Sequence, residues 1–482
     1  MALFRPALFI VGLMLVALAV MMAVPVLFLA EGQAPDWHAF VISAIVTLVC
    51  GATLVALYRD IPDRLHPRQV FMITGLSWAV IPLFAATPLF LCHLRLSIVD
   101  ALFETVSGIT TTGSTVISGL DGLADDLLLW RSMLQWLGGF GMIAMAVTVM
   151  PFLRVGGMRL FRSESSEWSE KALPRARHVG KLLLNVYLTL TVLCALAYVF
   201  AGMSVFEAVN HAMTTLATGG FSTSDASLGH FNSPLIYWVA VVFMILGALP
   251  FLVYGRYWNT LNGAVFGDTQ IRGFLAILAL SIAAMTVYLM VHAGRGFEDA
   301  LTSAAVNVTS IFTTTGYATE DYQLWGALAA PVFFFLTVIG GCSGSTAGGM
   351  KVFRLQLSLI MLREQIMMLV HPSAVINRRY NGQPVGDEIF SSAVAFSFVF
   401  LSTLAVLTML ITALGVDFVT ALSGTAQSMT STGPGLGSVI GPAGNFQSLP
   451  DGAKLLLCVG MVLGRLEFLS LIVLFSPVFW RG

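Results

Sequence analysis

The chain has 482 residues, of which 57% are hydrophobic and 10% are charged, and its formal net charge is -1. Because an ordinary soluble domain has about 25% charged residues, this composition excludes a water-soluble globular protein and indicates one that lies in a lipid bilayer. We therefore expect membrane lipid around the chain and no nucleic acid as a partner.

Nine uncharged apolar runs follow one another along the chain, and each is long enough to cross about 30 Å of hydrocarbon as a helix of about 20 residues. They are residues 6–30, 37–58, 70–92, 132–153, 182–206, 231–255, 273–291, 323–350 and 389–416. A tenth run, residues 455–480, is interrupted only by Arg465 and Glu467. The sequence thus predicts about ten membrane-spanning helices.

Four short segments rich in hydroxyl groups and glycine lie between these runs. They read Thr-Thr-Thr-Gly-Ser at 110–114, Ala-Thr-Gly-Gly-Phe at 217–221, Thr-Thr-Thr-Gly-Tyr at 313–317 and Thr-Ser-Thr-Gly-Pro at 430–434. An alanine lies twelve residues before the last glycine of each segment, at Ala101, Ala208, Ala304 and Ala421. This shared frame indicates four copies of one structural unit.

Each copy has the plan of a re-entrant membrane segment. An amphipathic stretch precedes the glycine, as at residues 99–109 and 205–216, and a polar loop follows it. Irregular backbone at membrane depth is tolerated where it lines a water-filled cavity or is buried in protein. The predicted fold is an all-α membrane protein with four pseudo-symmetric helix–re-entrant pore loop–helix units around a central pore, plus two N-terminal helices. The extension covers residues 1–69, and the pore units cover residues 70–181, 182–272, 273–388 and 389–482.

The four segments have the chemistry of a site for a dehydrated alkali cation. A bare K⁺ needs about eight oxygen ligands, which backbone carbonyls and hydroxyl groups supply where glycine permits the required backbone angles. The predicted selectivity filter comprises Thr111, Thr112, Gly113, Thr218, Gly219, Gly220, Thr314, Thr315, Gly316, Ser431, Thr432 and Gly433. The predicted K⁺ ligands within it are Thr111, Thr112, Thr218, Gly219, Thr314, Thr315, Ser431 and Thr432. Helix packing is the alternative, since Thr and Gly are also common at membrane helix contacts.

A glycine-rich run lies at the inner end of the apolar run 323–350. Each glycine costs about 0.8–1.0 kcal/mol relative to alanine in a helix, so the eighth span should break here and leave a flexible loop at membrane depth. The loop consists of Gly340, Gly341, Cys342, Ser343, Gly344, Ser345, Thr346, Ala347, Gly348 and Gly349. Close helix packing is the alternative. A phosphate loop is disfavoured, because no Gly-Lys-Ser/Thr ending follows and no strand precedes the run.

Two charges, Arg465 and Glu467, are expected inside the spans. Ionisable residues at membrane depth usually face a cavity or a partner and mark a conduction path. We expect Arg465 to project toward the pore, because residues two apart on a helix do not face each other well. A structural ion pair between the two residues is the alternative.

The distribution of charge predicts how the chain crosses the membrane, because cytoplasmic loops carry an excess of Lys and Arg. With both termini in the cytoplasm, the inner pieces hold 19 of the 24 basic residues, and the outer pieces hold 4 bases and 15 acids. An acidic outer face would concentrate cations at the pore mouth. The two largest inner connections, residues 154–181 and 351–388, hold 12 of the basic residues and are candidates for docking a soluble partner.

The four units, the two added helices and the filter segments resemble the Trk/Ktr/HKT superfamily of potassium transporters over the whole chain. The run 340–349 and Gly464-Arg465-Leu466-Glu467 are most similar to its bacterial TrkH-type membrane subunits. The resemblance implies a channel-like fold gated by that loop, a homodimer in the bacterial inner membrane, and a TrkA-like cytoplasmic regulatory ring that binds nucleotides. Tyr317 matches the filter pattern of channels, whereas Gly219 and Pro434 depart from it.

The sequence thus predicts K⁺ uptake across the inner membrane through a gated, selective pore. No nucleotide-binding motif lies in the chain, so no cofactor is expected there and nucleotides should bind only to the partner. No nucleophile–base or metal-ligand spacing lies within the spans, which argues against an enzyme. The alternatives are a Na⁺-permeable or Na⁺-coupled transporter and a proton-coupled one; the last would need a relay of acids or histidines.

Overall fold

The computed structural model describes residues 3–28, 34–59, 66–148, 172–260, 267–374, 376–466 and 468–481. The regular secondary structure in this part of the chain is helical apart from one antiparallel hairpin, in which β1 (Arg379–Tyr380) pairs with β2 (Gln383–Pro384). Arg379 lies opposite Pro384, and Tyr380 lies opposite Gln383. The hairpin belongs to the connection 351–388, which is predicted to lie on the inner side.

The first two long helices pack closely against each other. They are α1 (Phe4–Met22) and α3 (Trp37–Leu57), with the short α2 (Val24–Phe28) between them in the chain. A Cβ added to Gly12 would lie 2.9 Å from the carbonyl oxygen of Gly51, and a Cβ on Gly51 would lie 2.9 Å from that of Gly12. Small residues thus let the two backbones approach, as is usual between membrane helices.

The other described helices range from 4 to 29 residues in length. In the first half of the chain they are α4 (Pro67–Ala85), α5 (Thr87–Leu91), α6 (Ile98–Ile109), α7 (Asp125–Thr148), α8 (Ala172–Phe200), α9 (Val205–Leu216), α10 (Pro234–Ala248) and α11 (Phe251–Thr260). In the second half they are α12 (Thr269–His292), α13 (Phe297–Phe312), α14 (Ala329–Ile339), α15 (Val352–Val370), α16 (Asp387–Ala413), α17 (Phe418–Thr430), α18 (Gly437–Ile440), α19 (Asp451–Arg465), α20 (Leu469–Phe475) and α21 (Pro477–Arg481). The described loops contain the 3₁₀ turns Leu120–Gly122, Ser227–Phe231 and Tyr322–Trp325.

Among the described residues, six helical stretches are long and apolar enough to cross a membrane. They are Phe4–Leu27, Trp37–Leu57, Pro67–Leu91, Val179–Phe200, Thr269–His292 and Asp387–Ala413, and they match six of the ten predicted runs. Helix α7 covers the predicted run 132–153 up to Thr148, beyond which the run lies outside the described residues. The connection 154–181, which is predicted to lie on the inner side, is also largely outside them.

The three other predicted runs do not form single helices. In the run 231–255, α10 ends before Pro250 and α11 begins after it, because proline disfavours helical angles at the residue that precedes it. In the run 455–480, α19 ends at Arg465, and Phe468 has a left-handed φ of 47° before α20 begins. The expectation of unbroken spans there is therefore wrong. The predicted break at Gly340 is confirmed, since α14 ends at Ile339.

Four short helices, α6, α9, α13 and α17, carry the hydroxyl-glycine segments at their C-terminal ends. Side-chain caps set where three of them begin. The Ser97 hydroxyl accepts the N–H of Asp100 at α6, Ser204 forms a capping box with Glu207 at α9, and Asp417 caps α17. These caps fix the frame in which each helix reaches its segment.

An ion pair in the loops fixes the third short helix. Arg295, just before α13, donates to the two carboxylate oxygens of Glu320 at 2.6 and 2.8 Å. Burial raises the pKa of Glu320, but the hydrogen bonds and the charge of Arg295 outweigh this and hold that pKa below its ordinary value. The pair joins the start of α13 to the loop that leaves its segment.

Candidate ion-binding site

The four short helices end in the same turn. In each, the N–H of the residue before the last glycine of the segment donates to the carbonyl five residues earlier, at 2.8–3.0 Å. The donor and acceptor pairs are Thr112 and Ser107, Gly219 and Thr214, Thr315 and Ser310, and Thr432 and Gln427. This bond belongs to the Schellman motif, in which the residue before the donor takes left-handed backbone angles. The four segments therefore share one backbone shape although their sequences differ.

Hydroxyl residues occupy the left-handed position of each turn. The φ angle is 54° at Thr111, 49° at Thr218, 56° at Thr314 and 56° at Ser431. Glycine is usual at this position, and a residue that bears a Cβ is strained there by about 1–3 kcal/mol. Such strain collects at functional sites, and its recurrence at four equivalent positions points to one site built by all four segments.

The last glycine of each segment, which we call the filter glycine, packs against the next segment. A Cβ added to any of the four would come too close to the carbonyl oxygen of the residue that precedes the next filter glycine. The pairs are Gly113 with Gly219, Gly220 with Thr315, Gly316 with Thr432, and Gly433 with Thr112. The last contact is the loosest, with the Cβ 2.8 Å from the oxygen. Because the fourth segment returns to the first, the contacts form a closed cycle.

The cycle brings together every residue that the sequence predicts for the filter. The side chains at the left-handed positions are buried, and none is more than 1% exposed. Among the described residues, the hydroxyl oxygens of Thr111 and Ser431 have no hydrogen-bond partner. A buried polar atom without a protein partner is free to bind an ion or water. Carbonyl and hydroxyl oxygens around one centre form the donor set that an alkali cation needs.

A buried ion pair, which the sequence analysis missed, supports the first two segments. Arg131 on α7 donates from Nε to Glu104 on α6 at 2.8 Å, and neither side chain is more than 1% exposed. Glu104 also accepts the N–H of Val116 at 2.9 Å. Arg131 donates to the carbonyl of Ser222 at 3.3 Å and stacks 4.2 Å from the centre of the Phe221 ring. The pair therefore ties two helices to the chain that leaves segments 1 and 2.

The position of Glu104 recurs in the other short helices. His211 and Asn307 also lie nine residues before the filter glycines of their segments. His211 Nε2 lies 3.0 Å from the hydroxyl oxygen of Ser222, and the Asn307 amide donates to the Thr319 hydroxyl at 2.7 Å. A polar side chain at this position thus holds the chain just beyond each of the first three filter glycines. The spacing from the glycine was the signal in the sequence.

The fourth segment is held from the neighbouring position. Gly424 lies nine residues before Gly433 and has no side chain, so the preceding residue, Ser423, holds the outgoing chain instead. The Ser423 hydroxyl accepts the N–H of Leu436 at 2.9 Å and lies 3.3 Å from its carbonyl. All four outgoing chains are therefore fixed, each by different chemistry.

The glycine-rich loop 340–349 lies directly against the segments. The N–H of Gly348 donates to the Thr314 hydroxyl at 2.7 Å, and the Thr346 hydroxyl donates to the carbonyl of Leu216 at 3.0 Å. A Cβ on Gly348 would collide with the Thr430 carbonyl. The loop, predicted to be flexible, is thus hydrogen-bonded to the ends of two short helices and packs against the end of a third in this conformation.

Arg465 is buried beside this loop, with 2% exposure. Its Nη1 donates to the Thr346 carbonyl at 2.8 Å, and its Nη2 lies 3.5 Å from the Gly138 carbonyl. The guanidinium therefore contacts the backbone of the loop and of α7. Glu467, the partner in the alternative ion-pair hypothesis, lies outside the described residues.

Comparisons with known proteins agree with this architecture. The sequence model of the TrkH family, described as a cation transport protein, matches residues 37–481. The chain is 48% identical over 477 residues to the Trk system potassium uptake protein TrkI of Halomonas elongata, which covers 99% of this chain and 97% of that protein. It is 36% identical over 488 residues to the Trk system potassium uptake protein TrkH of Escherichia coli, with 99% of each covered. The crystal structure of the potassium transporter TrkH from Vibrio parahaemolyticus matches with a TM-score of 0.91 and 35% identity, covering 99% of this chain and 100% of that one.

The closed cycle predicts that Gly220→Ala lowers ion flux much more than Gly119→Ala. Both glycines have a φ of 77°, so both substitutions strain the backbone, but only at Gly220 would the Cβ meet a carbonyl, that of Thr315. Nothing lies within 4 Å of a Cβ at Gly119. We expect a difference of about five- to a hundredfold in ⁸⁶Rb⁺ flux into proteoliposomes, since overpacking costs about 1–3 kcal/mol. Equal losses in the two variants would show that the steric contact is unimportant.

The buried ion pair predicts a compensating pair of substitutions. Arg131→Met leaves Glu104 buried without its cation, which should destabilise the protein by about 3–5 kcal/mol. Adding Glu104→Gln removes the uncompensated charge but keeps an acceptor for the Val116 N–H, so the double variant should be more stable than Arg131→Met alone. Thermal unfolding in detergent measures both. A double variant less stable than either single one would refute this account of the pair.

Proposed function

Because the chain belongs to the TrkH family of cation transport proteins, we propose that it takes up K⁺ across the membrane through a selective central pore. The related proteins are named Trk system potassium uptake proteins, and this similarity favours K⁺ as the transported ion. The family consists of transporters, and the chain is not an enzyme. No cofactor enters the proposal, and K⁺ is the transported ion.

The closed cycle of filter glycines and carbonyls is the observation that carries the proposal. Four helix-loop-helix units, with the boundaries given by the repeats, would each contribute one segment to a pseudo-fourfold filter around the pore. The predicted ligands at the left-handed positions, Thr111, Thr218, Thr314 and Ser431, supply hydroxyl oxygens, and two of these are unpartnered among the described residues. The next residues, Thr112, Gly219, Thr315 and Thr432, supply the carbonyls of the cycle.

The loop 340–349 and Arg465 would form the gate. The loop contacts the ends of α9, α13 and α17, so it can obstruct the exit from the segments. A fixed guanidinium beside a narrow conduit repels K⁺. At about 6 Å and an effective dielectric constant of about 20, the repulsion is roughly 3 kcal/mol, or about a hundredfold in occupancy. The bond from Arg465 to the Thr346 carbonyl couples the charge to the loop.

A cytoplasmic partner would act on this gate through helix α15. The helix begins at Val352, directly after the loop, and the connection 351–388 continues to the hairpin β1–β2. Basic residues in the connections 154–181 and 351–388 suit a soluble TrkA-like regulatory ring as the partner. Since this orientation places both termini in the cytoplasm, the loop would lie at the inner end of the filter. We further propose a homodimer in the bacterial inner membrane, with the acidic face outward.

The direct test is flux of K⁺, Rb⁺, Na⁺ and Li⁺, each in turn, into proteoliposomes that contain the purified protein. We expect K⁺ and Rb⁺ to pass and Na⁺ and Li⁺ to be discriminated against. Equal Na⁺ and K⁺ flux would favour the Na⁺-permeable alternative, and K⁺ flux that requires a Na⁺ or proton gradient would favour a coupled transporter. An absence of flux for all four ions, with and without the partner, would refute the proposal.

The gate hypothesis predicts that Arg465→Ala raises K⁺ flux in the absence of any partner, by up to about a hundredfold from the charge estimate above. Arg465→Lys is the matched control, because it keeps the charge while weakening the bond to the Thr346 carbonyl. Flux close to that of the unaltered protein in the Lys variant would assign the effect to charge. If Arg465→Ala folds normally and leaves basal flux unchanged or abolishes it, Arg465 is a structural residue.

A further inference from the structure

The second segment differs from the other three in what stabilises it. In the first, third and fourth segments, the residues immediately before and after the left-handed residue both carry hydroxyl groups, and these two groups form a hydrogen bond with each other. The pairs are Thr110 and Thr112 at 2.7 Å, Thr313 and Thr315 at 2.8 Å, and Thr430 and Thr432 at 2.9 Å. In the second segment the same positions are Ala217 and Gly219, so this pair is missing.

The side chain of Gln135, on α7, takes the place of the missing pair. Its Nε2 donates to the carbonyl of Gly219 at 2.6 Å, and its Oε1 accepts the N–H of Phe221 at 3.0 Å. The direction of the amide is fixed by its partners, because a backbone carbonyl only accepts and a backbone N–H only donates. Gln135 is fully buried. The amide therefore spans Gly220 and clamps the backbone on both sides of this filter glycine.

Gln135 and a side chain at position 219 exclude each other. A Cβ added to Gly219 would come too close to the amide carbon and oxygen of Gln135 and would lie 2.8 Å from its nitrogen. A threonine at 219, as in the other segments, cannot coexist with the glutamine in this position. Sequence and structure thus pair a small residue in the segment with a polar one on the helix.

Equivalent helix positions support this pairing. A glycine on each of the helices α7, α10 and α19 packs against the end of a short helix. In each case the contact is with the backbone carbonyl of the residue that lies four positions before the filter glycine. The pairs are Gly138 with Ile109, Gly247 with Leu216, and Gly464 with Met429. The residues three before these glycines are Gln135, Met244 and Met461. Met244 and Met461 are fully buried. Gln135 is the polar residue among these three, and it contacts the second segment, which has no hydroxyl pair.

We propose that Gln135 is a specificity-determining residue that positions the second filter segment. The inference rests on the proposed K⁺ pore. A carbonyl held by a short amide hydrogen bond resists moving inward to the smaller Na⁺, so the clamp favours K⁺. Gln135 acts through the Gly219 carbonyl and does not itself contact the ion.

The first arm of the test replaces Gln135 with the methionine found at the equivalent positions. Gln135→Met keeps the length of the side chain but removes both hydrogen bonds. We expect K⁺ flux to persist and the K⁺ to Na⁺ permeability ratio to fall about five- to tenfold, the value of one such bond. Met244→Leu, on α10, is the control for repacking at an equivalent position and should leave the ratio unchanged. The melting temperature is measured for each variant, because a merely structural role would lower it without altering the ratio.

The second arm rebuilds the hydroxyl pair. Gly219→Thr alone should abolish flux, because the new side chain collides with Gln135. The triple variant Gln135→Ala, Ala217→Thr, Gly219→Thr makes room for a pair like those of the other segments and should restore the ratio to within about twofold of the unaltered protein, as expected for equivalent bonds.

The outcomes separate this inference from the function on which it rests. If the unaltered protein selects K⁺ and Gln135→Met keeps that ratio, the role of Gln135 is refuted while the pore stands. If Gln135→Met fails to fold, the triple variant decides, and a folded triple variant without selectivity refutes the role. If the unaltered protein passes no cation, the proposed function itself has failed.

Discussion

The contact between each filter glycine and the carbonyl of the next segment is the constraint on which the rest of the site depends. No side chain fits at Gly113, Gly220, Gly316 or Gly433, because a neighbouring backbone oxygen occupies the space of a Cβ. The four contacts close into a cycle, so no segment can move independently of the others. This interdependence also explains how strained left-handed hydroxyl residues persist at four positions, since the surroundings over-determine their conformation.

The cycle is supported by chemistry that differs from segment to segment. The chain beyond the filter glycine is held by a carboxylate at Glu104, an imidazole at His211, an amide at Asn307 and a hydroxyl at Ser423. Only the first of these belongs to a buried ion pair, and the second segment alone relies on Gln135. The four segments thus keep one backbone shape although different side chains stabilise each of them.

Much of this arrangement could be predicted from sequence, because positions with a positive φ or with no room for a Cβ require glycine, and glycine is visible in the sequence. The four filter glycines and the break at Gly340 follow from residue type and repetition alone. The ion pair of Glu104 and Arg131 could not be predicted, since charges next to an apolar run are usually solvated and only the fold buries them. The break near Phe468 was also missed, because an apolar run shows no sign of a positive φ at an aromatic residue. Gln135 reads as an ordinary polar residue until the fold places it beside Gly219.

The central claim is that the closed cycle surrounds a cation site. Anomalous diffraction from crystals grown in Rb⁺ locates this ion directly, because Rb⁺ scatters anomalously and substitutes for K⁺. The account predicts a peak inside the cycle, bounded by the Thr111, Thr218, Thr314 and Ser431 positions, and its loss when Na⁺ replaces Rb⁺. Well-measured data with Rb⁺ peaks only outside the cycle, or with none, would contradict it.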